Sequence, residues 1–222
     1  MPIKENNQYF IDPVYGDTSR KTSGTSMEVV LGPDAIKSEN YGSSTNSNSI
    51  KSHMEKLNAK DFTLTSAGAQ KGLWVAGHLL NDNLGGSGVA GKNLTPLTQT
   101  ANKQHSGYES RIKTALETSA QLERYANLPF IVGVKYKVTV SIPTFGDFTP
   151  YNKAPSSIAI KTELVKADKA TDQITILSME DMGHIGAGPL GFLRNAVFAE
   201  TIDNDDDHLR GCKNPSCAHV LN

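Results

Sequence analysis

Apolar and polar positions alternate with a period of two over several stretches in the second half of the chain, as they do in half-buried β-strands. The clearest stretch is 134–142, where Val, Tyr, Val, Val and Ile alternate with Lys, Lys, Thr and Ser. Shorter stretches of the same kind lie at 158–164 and 173–177. Residues 130–178 are therefore predicted to form an antiparallel meander.

A period of 3.6 replaces this alternation between residues 99 and 126. There the apolar residues Ile112, Ala115, Leu116 and Leu122 have helical spacing, and Leu128-Pro129 ends the segment. The sequence therefore predicts one long helix whose second half packs on the core.

Shorter elements are predicted in the first half of the chain. A strand covers 27–34 and is stopped by Gly-Pro, and a helix covers 49–57, with Ser49 as its N-cap and with Met54 and Leu57 turned inward. Two further strands, 62–65 and 73–79, are joined by a glycine-containing turn.

Together these elements predict an α+β fold in which an antiparallel sheet packs on one long helix. Residues 1–26 are polar and are interpreted as an N-terminal arm, and residues 27–180 as the folded domain. Residues 181–222 form a tail that is glycine-rich and then acidic. Both ends of the chain are expected to be irregular.

Composition limits the classes of function. The chain has 222 residues and a formal net charge of −1, which argues against a protein whose whole surface binds nucleic acid. Between residues 71 and 113, however, five basic residues stand against two acidic ones, which permits a locally basic groove. No apolar run approaches the roughly 20 residues that span a bilayer, and the N-terminus lacks the apolar region of a secretory signal. We expect no membrane partner, and a protein that is cytoplasmic in its producer or exported without a cleavable signal.

The stretch 74–113 carries the chemistry. An apolar run ends in Gly77-His78, a polar glycine-rich loop follows, and the long helix then carries Asn102, His105 and Glu109. These three residues lie at i, i+3 and i+7, so they share one face of the helix. An imidazole base beside oxygen and nitrogen ligands for a divalent metal suits hydrolysis of a phosphodiester.

The same stretch resembles a known family. Its Gly77-His78, the pair Gly85-Gly86, the run Asn93-Leu94-Thr95-Pro96, and Asn102 nine residues after Asn93 are similar to the motif of the DNA/RNA non-specific endonucleases. These enzymes are His-Me finger (ββα-metal) nucleases. The resemblance covers roughly residues 27–176, and its specific part is about forty residues long. It implies a ββα-metal core and metal-dependent cleavage of DNA and/or RNA without sequence preference.

The resemblance also implies roles for particular residues. His78 would be the general base and Asn102 the ligand of one divalent metal, Mg²⁺ or alternatively Mn²⁺. Asn93, counted with the catalytic group, would brace the loop, and Glu109 is a looser match to an acidic residue on the helix of the family.

At three of these positions a purely structural or solvated role is the alternative to a functional one. Asn93 could make only a turn, Asn102 could be a solvated amide or an N-cap, and Glu109 could pair with Lys113 on the surface.

Further contacts are expected from neighbouring residues. His105 is a candidate third metal ligand or phosphate contact, or else a solvated residue. The candidate contacts to the phosphate backbone of nucleic acid are Lys92, Lys103 and Arg111.

The chain departs from the family pattern immediately before the histidine. Val75-Ala76 stands where the family has Asp-Arg, so the arginine that helps to hold the phosphate is missing. Two interpretations follow: an active nuclease, of the kind found in bacterial toxins and effectors with an immunity-protein partner, or a catalytically degenerate scaffold or cargo component of a bacterial injection system. The run Leu31-Gly32-Pro33-Asp34 resembles segments upstream of the nuclease motif in some bacterial injection-system-associated proteins, which supports the start of the domain at residue 27.

A second group of candidate metal ligands lies near the C-terminus. His208, Cys212, Cys217 and His219 could together bind Zn²⁺, although their spacing matches no common zinc finger. A Cys212–Cys217 disulfide and two unreacted thiols are the alternatives. The acidic run Asp203–Asp207 lacks the spacing of a calcium loop and is interpreted as a solvated loop.

Overall fold

The computed structural model describes residues 8–19, 23–45, 50–64, 66–141 and 154–204. In chain order the strands are β1 (Tyr9–Tyr15), β2 (Thr18–Ser19), β3 (Ser23–Gly24), β4 (Ser26–Leu31), β5 (Phe62–Leu64), β6 (Gln70–Gly72), β7 (Trp74–His78), β8 (Leu94–Thr98), β9 (Phe130–Val140), β10 (Ser157–Asp168), β11 (Ile174–Ile176) and β12 (Ala199–Asp203). The α-helices are α1 (Lys51–Asn58), α2 (Gln99–Tyr125), α3 (Met179–Gly183) and α4 (Ala187–Asn195).

The largest sheet is antiparallel, with the order β1-β4-β9-β10-β11, and β12 also pairs with β10. Its centre is the long pairing of β9 with β10, which aligns Phe130 with Asp168 at one end and Val140 with Ile158 at the other. The α+β class and the antiparallel meander predicted from alternation are confirmed.

Helix α2 packs against one face of this sheet. Its buried residues Ile112, Ala115 and Leu116 join alternate residues of β9, from Val132 to Val140, in the main apolar core. The intervening residues Lys135 and Lys137 lie on the opposite face, where both pair with Glu28. The alternation read from the sequence thus decides which face of β9 meets the helix.

Helix α1 and strand β7 build a second, smaller core. Its apolar side chains include Met54 and Leu57 of α1 with Trp74 of β7, as the inward-facing pattern of the helix predicts. Trp74 also donates its indole N–H to Asp61 Oδ2 at 2.8 Å, which satisfies the polar end of a buried ring. The predicted N-cap, Ser49, lies outside the described residues.

Two predictions are wrong: a turn that joins two strands, and irregular chain ends. The strands predicted at 62–65 and 73–79 are observed as β5 and β7, but β6 lies between them and pairs with β5, and β7 pairs with β8. The chain ends are not irregular where they are described, because β1 pairs with β4 and β12 pairs with β10.

Among the described helices, none has the length and apolar character needed to cross a membrane.

Candidate active site between the hairpin and helix α2

The candidate site is built on three elements that follow one another along the chain. Strands β7 and β8 form an antiparallel hairpin in which Gly77 pairs with Thr95 and His78 with Leu94. Helix α2 begins immediately after β8, and the Thr98 side chain caps it by accepting the Ala101 N–H at 3.1 Å. This strand–strand–helix unit brings the end of β7 and the first turns of α2 together.

Gly77 is the contact point between the hairpin and the helix. A Cβ at this position would clash with the Leu97 side chain and would lie 3.1 Å from Asn102 Oδ1. The absence of a side chain therefore lets the Asn102 carboxamide lie against β7 one residue before His78. Both Asn102 and His78 are half-buried, so neither is sealed from solvent.

A backbone carbonyl from a distant segment holds the His78 imidazole. Nε2 lies 3.2 Å from the Ser43 carbonyl oxygen, which can only accept, so Nε2 carries the proton and Nδ1 carries the lone pair. Burial lowers the pKa of His78 and outweighs the Ser43 carbonyl and the charge of Asp82, which both raise it. The imidazole is therefore neutral at pH 7 and able to accept a proton.

Asn93 binds the chain that follows His78. Its side chain is fully buried, accepts the Leu80 N–H at 2.9 Å and donates to the carbonyls of Leu80 at 2.9 Å and Ser87 at 3.0 Å. Its own carbonyl accepts the Leu79 N–H at 2.8 Å. All of these partners belong to the main chain, which fits a bracing role.

The glycine pair in the loop serves the geometry of the turn. Gly85 ends a 3-10 turn with φ of +91°, which disfavours any residue with a Cβ. A Cβ at Gly86 would clash with the Leu80 carbonyl oxygen. The Gly86 N–H already donates to the Asn81 carbonyl at 2.8 Å, so it is engaged within the loop.

His105 and Glu109 share a face of α2 with Asn102, but they lie deeper. His105 is 1% exposed and its Nε2 lies 2.6 Å from the Tyr136 hydroxyl. Glu109 is 6% exposed and its Oε1 accepts the Asn81 N–H at 3.1 Å and the Tyr136 O–H at 3.4 Å. His105 is therefore in the core instead of at the surface, and Glu109 binds Asn81 and Tyr136.

Burial sets the charge of both groups. It lowers the pKa of His105 to about 4, to which the neighbouring titratable His78 also contributes, and it raises the pKa of Glu109 to about 8. The two side chains approach to 3.9 Å, a distance at which an ion pair could form. With these pKa values both side chains are neutral at pH 7, so they do not form an ion pair. Each instead lies within hydrogen-bond distance of the Tyr136 hydroxyl.

The predicted basic contacts separate into two groups. Lys92 and Lys103 are exposed, and Lys92 Nζ lies 5.0 Å from the centre of the Tyr15 ring. Arg111, in contrast, donates from Nε to the Asn195 carbonyl at 2.7 Å and stacks 4.5 Å from the Phe198 ring centre. Arg111 lies on the face of α2 opposite to Asn102 and contacts the C-terminal segment.

Asn204 is a supporting residue that the sequence did not indicate. Its fully buried side chain accepts the Thr98 N–H at 2.8 Å and donates to the carbonyls of Pro96 at 3.0 Å and Pro155 at 2.8 Å. It therefore joins the last described residues of the chain to the end of β8, where α2 begins. Ser43 and Tyr136 were missed in the same way, because no local pattern marks them.

The potential metal ligands are sparse. Within the described residues, no cluster of three His, Cys, Asp or Glu side chains is arranged to hold a metal ion. His208, Cys212, Cys217 and His219 lie outside those residues. Asn102 Oδ1, a neutral oxygen, lies against Gly77, and Asp82 is close enough for its charge to raise the pKa values of both His78 and Glu109.

Fold and site together define an α+β protein in which a strand–strand–helix unit carries a neutral imidazole at the end of β7 and, on α2, a carboxamide that lies against Gly77. The chain matches no protein-family model and no curated protein. Among solved structures it matches an extracellular endonuclease with 15% sequence identity and a TM-score of 0.44, over 93% of this chain and 82% of the other. A TM-score at that level establishes neither a common fold nor a common activity.

Proposed function

We propose that the protein is a metal-dependent endonuclease that hydrolyses phosphodiester bonds of DNA and/or RNA without sequence preference. One observation carries this proposal: the Asn102 carboxamide lies against Gly77, directly before a half-buried, neutral His78. The motif resemblance of residues 74–113 supports the same reaction.

His78 would act as the general base. With the proton on Nε2 held toward the Ser43 carbonyl, Nδ1 can take a proton from the water that attacks phosphorus. A positioned base of this kind contributes roughly 10²- to 10⁴-fold to a rate. Because the pKa of His78 is lowered, its neutral form is available at and somewhat below pH 7.

Asn102 would hold the divalent cation through Oδ1. A site with one protein oxygen and an acidic neighbour, Asp82, fits Mg²⁺, which keeps several of its waters and takes few protein ligands. Mn²⁺ has similar ligand preferences. When bound, such a cation neutralises charge on the phosphate oxygens. We do not include His105 among the ligands, because its Nε2 is already bound by Tyr136.

Lys92 and Lys103 would contact the phosphate backbone, since both are exposed and each directly neighbours a site residue in the sequence, Asn93 and Asn102 respectively. Contacts to phosphates carry no sequence information, and their strength falls with added salt. For the biological setting, we propose a bacterial toxin or effector with an immunity-protein partner. Support for that setting comes from the motif resemblance alone.

The test is degradation of plasmid DNA and of RNA with Mg²⁺ or Mn²⁺, and with EDTA. His78→Ala and Asn102→Ala should each reduce the rate by about 100-fold or more. The matched controls, His184→Ala and Asn127→Ala, change exposed residues of the same types away from the site and should leave the rate unchanged. Cleavage that survives in both site variants, or in EDTA, would contradict the proposal.

A second function is favoured by the residues before Gly77. Val75 and Ala76 supply no guanidinium to the phosphate, which fits a nuclease-like scaffold that has lost its chemistry and serves as a component or cargo of an injection system. A folded wild-type protein that degrades neither nucleic acid with either metal would favour this scaffold.

A further inference from the structure

The main chain that follows His78 is held at three successive residues. The Leu79 N–H donates to the Asn93 carbonyl, and the Leu80 N–H and C=O both bind the Asn93 carboxamide. The Asn81 N–H then donates to Glu109 Oε1 at 3.1 Å. The direction in which the chain leaves His78 therefore depends on two side chains, and one of them is on α2.

Glu109 is itself held by a residue of the sheet. Tyr136 lies in the middle of β9, is fully buried, and donates its O–H to Glu109 Oε1 at 3.4 Å. The same hydroxyl oxygen lies 2.6 Å from His105 Nε2, within hydrogen-bond distance. One hydroxyl thus bridges two side chains of α2 that stand one turn apart.

We propose that Tyr136 is a positioning residue of the candidate active site, acting through Glu109 on the main chain that follows His78. The inference rests on the proposed function, because it assigns a purpose to the position of His78. It also gives Glu109 a role that requires no contact with metal or substrate.

Packing alone does not explain the hydroxyl. A phenylalanine at 136 would fill the same buried space between β4 and β10, where Tyr136 pairs with Val29 and Thr162. Burying a hydroxyl in an apolar core lowers stability unless the hydroxyl is hydrogen-bonded. This one contacts the two polar side chains His105 and Glu109 of α2. Its removal would leave Glu109 Oε1 bound to the Asn81 N–H but without its hydrogen bond to the sheet.

The variant Tyr136→Phe removes only this oxygen. Ser119→Ala is the matched control, because Ser119 is buried on the same helix and donates to the Val132 carbonyl of the same strand at 2.6 Å, away from His78. Tyr136→Phe should reduce kcat about tenfold with KM within twofold, because a displaced base impairs the chemical step more than binding. Ser119→Ala should keep both kcat and KM within twofold of the wild-type values, even if it lowers Tm as much as Tyr136→Phe does.

A second readout does not need activity. The ¹⁵N shifts of the His78 ring, measured by NMR, report its tautomer and hydrogen bonding. They should change in Tyr136→Phe and stay at wild-type values in Ser119→Ala. If the wild type is not a nuclease, this change still supports the positioning role, so the two proposals fail separately.

Two outcomes would overturn the inference: wild-type kcat in a folded Tyr136→Phe, or ¹⁵N shifts of His78 that do not change. If Tyr136→Phe does not fold, Glu109→Leu tests the other end of the same contact with the same readouts. If both variants fold, the double variant should lose no more activity than the worse single variant.

Discussion

Asn204 offers a test of the fold that is independent of any activity. The residue lies beyond the end predicted for the folded domain, yet its buried carboxamide makes three hydrogen bonds to main-chain groups. Two of the partners, Pro96 and Thr98, belong to β8, and the third is Pro155. The substitution Asn204→Ala removes all three bonds.

The expected loss of stability follows from these contacts. A hydrogen bond contributes roughly 1 kcal/mol net, and a buried group left without a partner costs about 1–3 kcal/mol. A buried C=O without a donor is tolerated better than a buried N–H without an acceptor, so the Thr98 N–H carries most of the cost. We expect Asn204→Ala to lower the free energy of unfolding by about 2–4 kcal/mol, a large share of a typical total of about 5–15 kcal/mol.

The assay is urea denaturation, which gives the midpoint and the slope m. The midpoint should fall while m stays constant. Asn127→Ala, which changes an exposed asparagine after α2, should shift the free energy of unfolding by less than about 0.5 kcal/mol. A loss below about 1 kcal/mol in Asn204→Ala would refute the view that this side chain holds the start of α2 in place.

Two further perturbations test the site. Gly77→Ala should reduce nuclease activity about tenfold or more, because the new methyl group would push against Leu97 and Asn102; unchanged activity would remove the reason given for this glycine. The second perturbation is pH. The pKa of Glu109 is about 8 in the folded chain against an ordinary 4.5, so its contribution to stability is present below pH 4.5 and is lost as pH rises through 8. For His105, with a pKa of about 4 against 6.5, the contribution is present above pH 6.5 and is lost as pH falls through 4. Between pH 4.5 and 6.5 the two contributions change in opposite directions, so the free energy of unfolding measured with urea should show a plateau there. From pH 6.5 to 8 it should fall by about 2 kcal/mol, and Glu109→Gln should remove this fall. An unaltered alkaline fall in that variant would contradict the assignment.

Local pattern was enough for the elements with two distinct faces. Helix α2 was predicted at 99–126 and is observed at Gln99–Tyr125, because its apolar residues recur at helical spacing. Strand β9 was predicted because one face is buried and the other carries Lys135 and Lys137. In both elements, the sequence period and the burial period agree.

Elements without that contrast were missed. Strand β8 has Pro96 at its centre and is buried at every position, so neither alternation nor composition indicates a strand. It pairs with β7 alone, and an edge can accommodate a proline that donates no hydrogen bond. In β12 only Ile202 is buried, and β1 has no buried residue, so neither strand has the regular alternation of buried and exposed positions that marks β9. Their positions come from pairing with β10 and β4.

The residues of the candidate site also fall into those that the sequence could predict and those that it could not. His78, Asn93 and Asn102 could be predicted because they fall within 25 consecutive residues, in a motif whose spacing a hairpin and a helix impose. Ser43 and Tyr136 could not, since Ser43 meets His78 across 35 positions and Tyr136 meets His105 across 31. A carbonyl oxygen or a tyrosine on a buried strand has no chemical signature until the fold places it.

The proposed activity depends on parts of the fold outside residues 74–113. The reacting groups are few and half-buried, but each is held through groups from elsewhere in the chain: His78 by the Ser43 carbonyl, and the chain after it by Glu109 and Tyr136. Misplacing a reacting group by about 1 Å can cost a hundredfold in rate, whereas one buried hydrogen bond contributes only about 1 kcal/mol to stability. Substitutions in these supports should therefore reduce activity more than they reduce folding. A screen limited to residues 74–113 would attribute the whole function to a segment that depends on the rest of the chain for its geometry.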